Sequence, residues 1–335
     1  MKKNIALITG GSSGELEISL NSAKVISNHI DQQLFNVYTI VIEGHDWIHK
    51  TSDNQVVLVD KNDFTLTLNQ TRVRFDGVFI AIHGTPGEDG KLQGYFDLLG
   101  IPYTACDVFT SALTFNKFFT NHVVENLGVK TGRLVMVKLD EAYHCQDIIR
   151  ITGLPCFVKP NKGGSSVGIS KVVSEAELDQ AIENAFQHDD EVLVQQFLPG
   201  IEITCGLIRT GDELLVLPLC EVVSKKEFFD YEAKYTAGMA DEIVPARISP
   251  VLTEKCRDLS SLLYEKLNCK GIVRFDYILC EGEFYFIEVN TIPGLSDGSI
   301  VPKMARGMGL SMQALFTMTI QESFAWHQRR ERYRV

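Results

Sequence analysis

The stretch from Gly271 to Ser299 constrains this chain more than any other. It reads GIVRFDYIL, then Cys280-Glu281-Gly282-Glu283, then FYFIEVNTIPGLSDGS. Both flanks are apolar, β-rich runs, and the polar tetrapeptide between them has the length of a hairpin turn. Successive side chains on a strand point to opposite faces. Arg274 and Asp276 therefore share one face, and Glu288 and Asn290 share one face of the partner strand. Phe275, Tyr277, Ile287 and Val289 are expected on the apolar side. Pairing the strands would gather Asp276, Glu288 and Asn290 as three hard oxygen ligands. Mg²⁺ takes such ligands and completes its shell with nucleotide phosphates. An acid, an amide and an arginine grouped opposite a core need a functional reason.

The chain has 335 residues, enough for two or three domains. Hydrophobic residues make up 45% of it, so large cores are available. A net charge of −11 argues against a general nucleic-acid binder, whose phosphate contacts need a basic surface. The basic run Arg329-Arg330-Glu331-Arg332-Tyr333-Arg334 reads as a solvated helix end. Lys2-Lys3 is followed by NIALITGG, a short strand and turn rather than a signal segment. No apolar run approaches the ~20 residues that span a bilayer. The eight cysteines include no CxxC pair, so reduced, mostly buried thiols in a cytoplasmic protein are expected. Neither nucleic acid nor membrane is expected as a partner.

Residues 2–26 read as strand, Gly-rich turn and helix, the opening of an α/β domain. GGSSGE is not GxGxxG, so the dinucleotide fingerprint is missing. Glu15 at this turn serves equally well as a first-turn acid favoured by the helix dipole or as a substrate contact. Residues 76–104 give a strand ended by His83, a loop with Gly84, Gly87 and Gly90, and a helix. Ligands collect at the carboxyl ends of strands in open α/β sheets, and Glu15 and His83 both sit near such ends.

One helix is expected over 111–129, with Lys117 inside it and Gly128 near its C-cap. The segment LPCFVKPNKGGSSVG ends a buried strand at Lys159-Pro160 and continues into a loop whose glycines and serines suit phosphate binding. It lacks the GK[ST] ending of a P-loop. Ser174 and Glu177 predict a capping box for a helix over 174–186. EVLVQQFLPGIEIT reads as strand, linker and strand; such a linker suits an adenine edge, with Glu202 near ribose hydroxyls. FFDYEAKYTAGM carries Lys234 and Tyr235 on a loop.

Taken in order, GGSSGELEISL, IAIHGTPGEDGKLQGYFDLLGIPYT, VKPNKGGSSVGISKV, DYEAKY, RFDYIL and IEVNTIPG resemble the D-alanine–D-alanine ligases of the ATP-grasp superfamily. The resemblance implies a mixed α/β fold of three domains: an N-terminal Rossmann-like open sheet over 1–108, and two domains, 109–198 and 199–335, sandwiching ATP. It implies ATP-dependent joining of two D-alanines through a D-alanyl phosphate, for peptidoglycan precursors. The alternatives are a ligase with D-serine, D-lactate or another amino acid as second substrate, and a non-catalytic nucleotide-binding protein.

By the same resemblance Lys117 and Lys159 would contact the ATP α- and β-phosphates, and Lys234 the γ-phosphate. Gln195, Gln196, Phe197 and Leu198 would line the adenine, with Glu202 on the ribose. Asp276, Glu288 and Asn290 would hold two Mg²⁺ or Mn²⁺ ions. Glu15 would face the ammonium of the first D-alanine, with His83 nearby. Arg274 and the Gly294 N–H would form an oxyanion site, and Ser299 would bind the carboxylate of the second D-alanine. Ser165 and Ser166 would sit on a lid closing with Tyr235 and Glu15. A homodimer is expected. Two departures stand out: Gln195 replaces an acid of many relatives, and Ser296-Asp297-Gly298-Ser299 replaces Thr-x-x-Ser.

Overall fold

The computed structural model describes residues 1–12, 14–164, 167–224 and 240–332. The chain opens with a sheet ordered β4-β3-β2-β1-β7. Its strands are β1 (Lys3–Gly10), β2 (Phe35–Glu43), β3 (Asp46–Lys50), β4 (Val56–Leu58) and β7 (Gly77–Ile80). β1 pairs in parallel with both β2 and β7. Its Ala6, Leu7 and Ile8 are fully buried, the two-sided burial expected of a central parallel strand. The helices α1 (Leu16–His29) and α2 (Lys91–Leu99) belong to this unit, and β5 (Thr65–Leu68) and β6 (Thr71–Arg74) form a small ribbon beside it.

Next come α3 (Val108–Phe115) and α4 (Lys117–Asn126). The single helix expected over 111–129 is broken at Asn116, which is extended at φ −92°, ψ 101°. The cause is local: the Asn116 side chain accepts from Phe119 N at 3.1 Å and so starts a new helix. Lys117 thereby sits in a first turn rather than mid-helix. Gly128, at φ +84°, follows the α4 C-cap as expected.

The antiparallel sheet β10-β9-β11-β8 follows, built from β8 (Leu134–Lys138), β9 (Cys156–Pro160), β10 (Ser170–Val172) and β11 (Glu191–Gln196). It is covered by α5 (Cys145–Thr152) and α6 (Glu175–Phe186), with Val158, Leu178, Ile182 and Val192 between them. The capping box of α6 is altered. Ser174 makes no side-chain cap bond; Glu177 instead accepts from Val173 N at 3.0 Å and Ser174 Oγ at 2.9 Å.

The last sheet, β15-β14-β12-β16-β17, contains β12 (Ile201–Thr210), β14 (Cys220–Ser224), β15 (Ala240–Ile243), β16 (Ile272–Cys280) and β17 (Glu283–Asn290). β13 (Glu213–Val216) pairs with β12. α3, α4 and α7 (Pro250–Lys266) flank a core of Val124, Leu263, Phe275, Tyr277 and Phe286. On the other side α8 (Ile300–Gly307) and α9 (Met312–Glu331) pack Met304, Leu315 and Phe316 against Leu7 and Phe79 of the first sheet. One apolar cluster thus joins the first sheet to the last.

Arg330 differs from the solvated end expected of the basic run, whereas Arg332 is exposed as expected. Arg330 donates to Asp97 Oδ1 at 2.7 Å and lies 4.7 Å from the Trp326 ring centroid, tying α9 to α2. All eight cysteines are unpaired, and all but Cys145 are buried. Among the described residues no helix is long and apolar enough to cross a membrane.

Candidate functional site

The β16–β17 hairpin forms the floor of the site. Its turn is tighter than the expected tetrapeptide: Cys280 pairs with Glu283, leaving Glu281 and Gly282 at φ +50° and +79°. Two positive φ values in a two-residue loop match the strand twist. The ladder sets Arg274 opposite Asn290 and Asp276 opposite Glu288.

A register shift at Asp276/Tyr277 makes this possible. Phe284 and Phe286 are buried in the core, so strict alternation would send Glu288 into the core too. The irregularity changes the parity. Ile287, expected on the apolar side, is only partly buried; Phe286 takes that place opposite Tyr277, and Glu288 emerges on the polar face. Bulges are common where a functional side chain has to be re-aimed.

Asp276 is 4% exposed and tightly held. Arg274 donates to both its oxygens at 2.8 Å, and Asn290 Nδ2 donates to Oδ2 at 2.8 Å. Burial opposes the charge on Arg274, yet Asp276, Glu288 and Glu202 together hold its pKa above the ordinary value. Two of its five donors are spent on Asp276. Lys117 Nζ lies 3.8 Å from Glu288 Oε2 and also donates to the Gly163 carbonyl. The start of α4 is set by Asn161, whose carbonyl accepts from Lys117 N at 3.2 Å and whose Oδ1 accepts from Phe118 N at 2.8 Å. These are donors that a helix start leaves without intrahelical partners.

Above this floor lies a cavity of about 320 Å³. Glu15, His83, Lys117, Glu202, Arg274, Glu288, Asn290, Gly294 and Ser299 all line it, although the sequence scatters them over the whole chain. Glu15 approaches Gly164 so closely that a Cβ there would stand 2.9 Å from Oε1. Ser299 Oγ would meet a Cβ at Gly294 at 2.8 Å, so a larger residue there would displace the Ser299 hydroxyl. Ser299 Oγ is also 2.7 Å from Ser296 Oγ. His83 lies beyond the end of β7 rather than on it.

Lys159 and the linker Gln195, Gln196, Phe197 and Leu198 are not among the residues lining this cavity. Lys159 is buried on β9 opposite Leu193. Gln195 is 4% exposed, and its Nε2 has no hydrogen-bond partner. Gln196 Oε1 accepts from Arg133 Nε at 3.2 Å. Ser165, Ser166, Lys234 and Tyr235 lie outside the described residues.

Two titratable residues of the cavity, Glu88 and Glu242, are not among the candidates the sequence offers. Glu88 accepts from Gly84 N at 2.7 Å and Ile292 N at 3.3 Å; burial and the neighbouring Glu15 raise its carboxyl pKa, and these two N–H bonds oppose the rise. Its signal lies in HGTPGEDG, where Glu88 follows His83 within the Gly-rich loop. Glu242, on β15, pairs with Lys303 of α8 at 2.6 Å.

Among the described residues, no group of three or more His, Cys, Asp or Glu side chains is placed to hold a metal ion. The hairpin instead offers two facing carboxylates and an amide. That is the oxygen donor set suited to Mg²⁺, which keeps other positions for water and phosphate. The orphaned Gln195 amide, the buried Lys159 and the cationic Lys117 suit a polar, polyanionic ligand such as ATP.

Residues 4–106 match the family described as D-ala D-ala ligase N-terminus, and residues 123–321 match D-ala D-ala ligase C-terminus. A D-alanine–D-alanine ligase of Phocaeicola vulgatus is 44% identical over 97% of this chain and all of the relative. That of Flavobacterium johnsoniae is 46% identical over 96% of the chain and all of the relative. Among solved structures, the VanG D-Ala:D-Ser ligase of Enterococcus faecalis superposes with a TM-score of 0.84 at 34% identity, covering 98% of this chain and 100% of its own. A Bacillus anthracis D-alanine–D-alanine ligase complexed with ATP gives 0.80 at 28% identity, over 98% and 99%.

Proposed function

The chain belongs to the D-alanine–D-alanine ligase family, and we propose that it joins two D-alanines at the expense of ATP, forming D-alanyl-D-alanine, ADP and phosphate for peptidoglycan precursors. The observation that carries this reading is the cavity itself. It brings Glu15, Lys117, Arg274, Glu288, Asn290, Gly294 and Ser299 to one cavity, and this reading gives them the ammonium, phosphate, oxyanion, metal and carboxylate partners.

A carboxylate is a poor electrophile, so the first D-alanine must be activated as an acyl phosphate. Lys117, Lys159 and Lys234 would neutralise charge on the nucleotide phosphates. Gln195, Gln196, Phe197, Leu198 and Glu202 would hold adenine and ribose between 109–198 and 199–335. Two Mg²⁺ or Mn²⁺ ions at Asp276, Glu288 and Asn290 would supply Lewis-acid neutralisation of the phosphoryl charge. Glu15 would orient the first ammonium and Ser299 the second carboxylate. Arg274, fixed by its two hydrogen bonds to Asp276, and the Gly294 N–H would stabilise the tetrahedral oxyanion. Ser165, Ser166 and Tyr235 would exclude water from the acyl phosphate. We further propose that the protein works in the cytoplasm as a homodimer.

The test is phosphate release with ATP, Mg²⁺ and D-alanine, with the product weighed, against parallel reactions offering D-serine or D-lactate as acceptor. D-Alanyl-D-alanine as the main product is expected. No D-alanine-dependent phosphate release would reject catalysis. A dominant D-alanyl-D-serine or D-alanyl-D-lactate product would reject the assignment of the second substrate.

A further inference from the structure

The cavity wall from Thr291 to Leu295 is buried at Thr291, Ile292 and Leu295, yet it belongs to no strand or helix. Buried backbone groups need partners, and here distant side chains supply them. Ile292 N donates to Glu88 Oε1 at 3.3 Å, and the Ile292 carbonyl accepts from His83 Nδ1 at 2.8 Å. Leu295 N donates to Ser22 Oγ at 3.2 Å, and Ser22 Oγ lies 3.1 Å from His83 Nε2.

The proton positions follow from this network. A carbonyl only accepts, so His83 Nδ1 carries the hydrogen. Burial, with Arg274 nearby, pushes the ring pKa down to about 4, so Nε2 is an acceptor at neutral pH. The Ser22 hydroxyl donates to it while its oxygen receives Leu295 N–H. The clamp is itself anchored: His83 N donates to Ser19 Oγ at 3.0 Å, and Gly84 N donates to the second Glu88 oxygen at 2.7 Å.

We propose that Ser22, His83 and Glu88 are positioning residues that clamp residues 292–295, and so hold Gly294 N–H and Ser299 over the reacting carbonyl, with His83 as an N–H strut rather than a contact to the substrate ammonium. The clamp rests on these contacts; the purpose given to the loop rests on the ligase reading.

His83→Asn and His83→Gln separate the two roles of the ring. Asparagine Nδ2 occupies the place of Nδ1 and keeps a donor for Ile292. Glutamine carries its amide out to the other ring nitrogen, where Oε1 can accept from Ser22, and loses the bond to Ile292. The clamp requires His83→Asn to retain most of the wild-type kcat. His83→Gln should fall about tenfold in kcat, the upper end for one lost hydrogen bond, with KM for ATP unchanged. Glu88→Gln, which leaves one acceptor for two N–H groups, should show the same split. Hydrogen exchange of 291–295 in the free protein is read alongside. Faster exchange in His83→Gln and Glu88→Gln but not in His83→Asn supports the clamp even if the wild type makes no dipeptide, which would fault only the ligase reading. A His83→Gln enzyme as active as or better than His83→Asn, or wild-type exchange in both clamp-breaking variants, overturns the proposal.

Discussion

Two walls of the cavity are held in different ways. The hairpin floor with Arg274, Asp276, Glu288 and Asn290 lies in a ladder whose strands are joined by two residues. The loop wall from Thr291 to Leu295 has no ladder; its backbone rests on side chains 204, 209 and 273 residues away. A ladder derives its precision from many repeated bonds and a shared core, so its position and the stability of the fold go together. A wall held by three side chains can move without unfolding anything. Damage to the floor should therefore appear as lost stability or lost chemistry, and damage to the loop wall as lost alignment.

The largest test strikes the core beneath the floor. Phe286 is fully buried opposite Tyr277, and Phe286→Ala should lower unfolding free energy by about 3–5 kcal/mol in denaturant titration. A loss below about 1 kcal/mol would mean that the register irregularity does not depend on this packing.

Glu288→Gln comes next. It keeps the shape of the floor but removes a charge beside Lys117, so kcat should fall at least about 10²-fold while the melting temperature holds. Near-normal turnover at saturating Mg²⁺ would remove Glu288 from the mechanism.

Ser22→Ala sharpens the contrast from the other side. It leaves the Leu295 N–H buried without its acceptor, a local cost of about 1–3 kcal/mol. Exchange at Leu295 should quicken and KM for the second D-alanine should rise, with KM for ATP unchanged. If global unfolding shifts as much as local exchange, the two walls are not independent.

The smallest effect concerns acid. The folded pKa of His83 is depressed to about 4, so the unfolded chain binds the proton first. The stability supplied by the neutral ring is complete above about pH 6.5 and is lost as pH falls toward about 4. From about pH 7 to about pH 6 the loss is about 0.7 kcal/mol. His83→Asn should lack this increment; equal acid sensitivity in both proteins would mean that the buried ring is not what titrates.

Much of the floor was legible because strand alternation is a local rule. Arg274 with Asp276, and Glu288 with Asn290, could be paired from spacing alone. Ile287 and Phe286 show where the rule stops: a one-residue irregularity reverses parity, and nothing in EFYFIEVN announces it. The split of the expected 111–129 helix had a signal in Asn116, a strong N-cap residue, but apolar periodicity on both sides masked it. Arg330 looked solvated because its partner Asp97 is 233 residues distant.

By itself the sequence determined what depends on neighbours along the chain: the alternating strands, the Gly-rich turns, the buried thiols, and the order of motifs that marks the family. Only the tertiary structure decided which distant groups meet. Glu15 reaches Gly164, Lys117 reaches Glu288, and Ser22, His83 and Glu88 reach the backbone of residues 292–295. The reason is physical. A backbone group in a strand has a partner dictated by register, whereas a buried group in irregular chain takes whichever side chain the packed fold brings within about 3 Å.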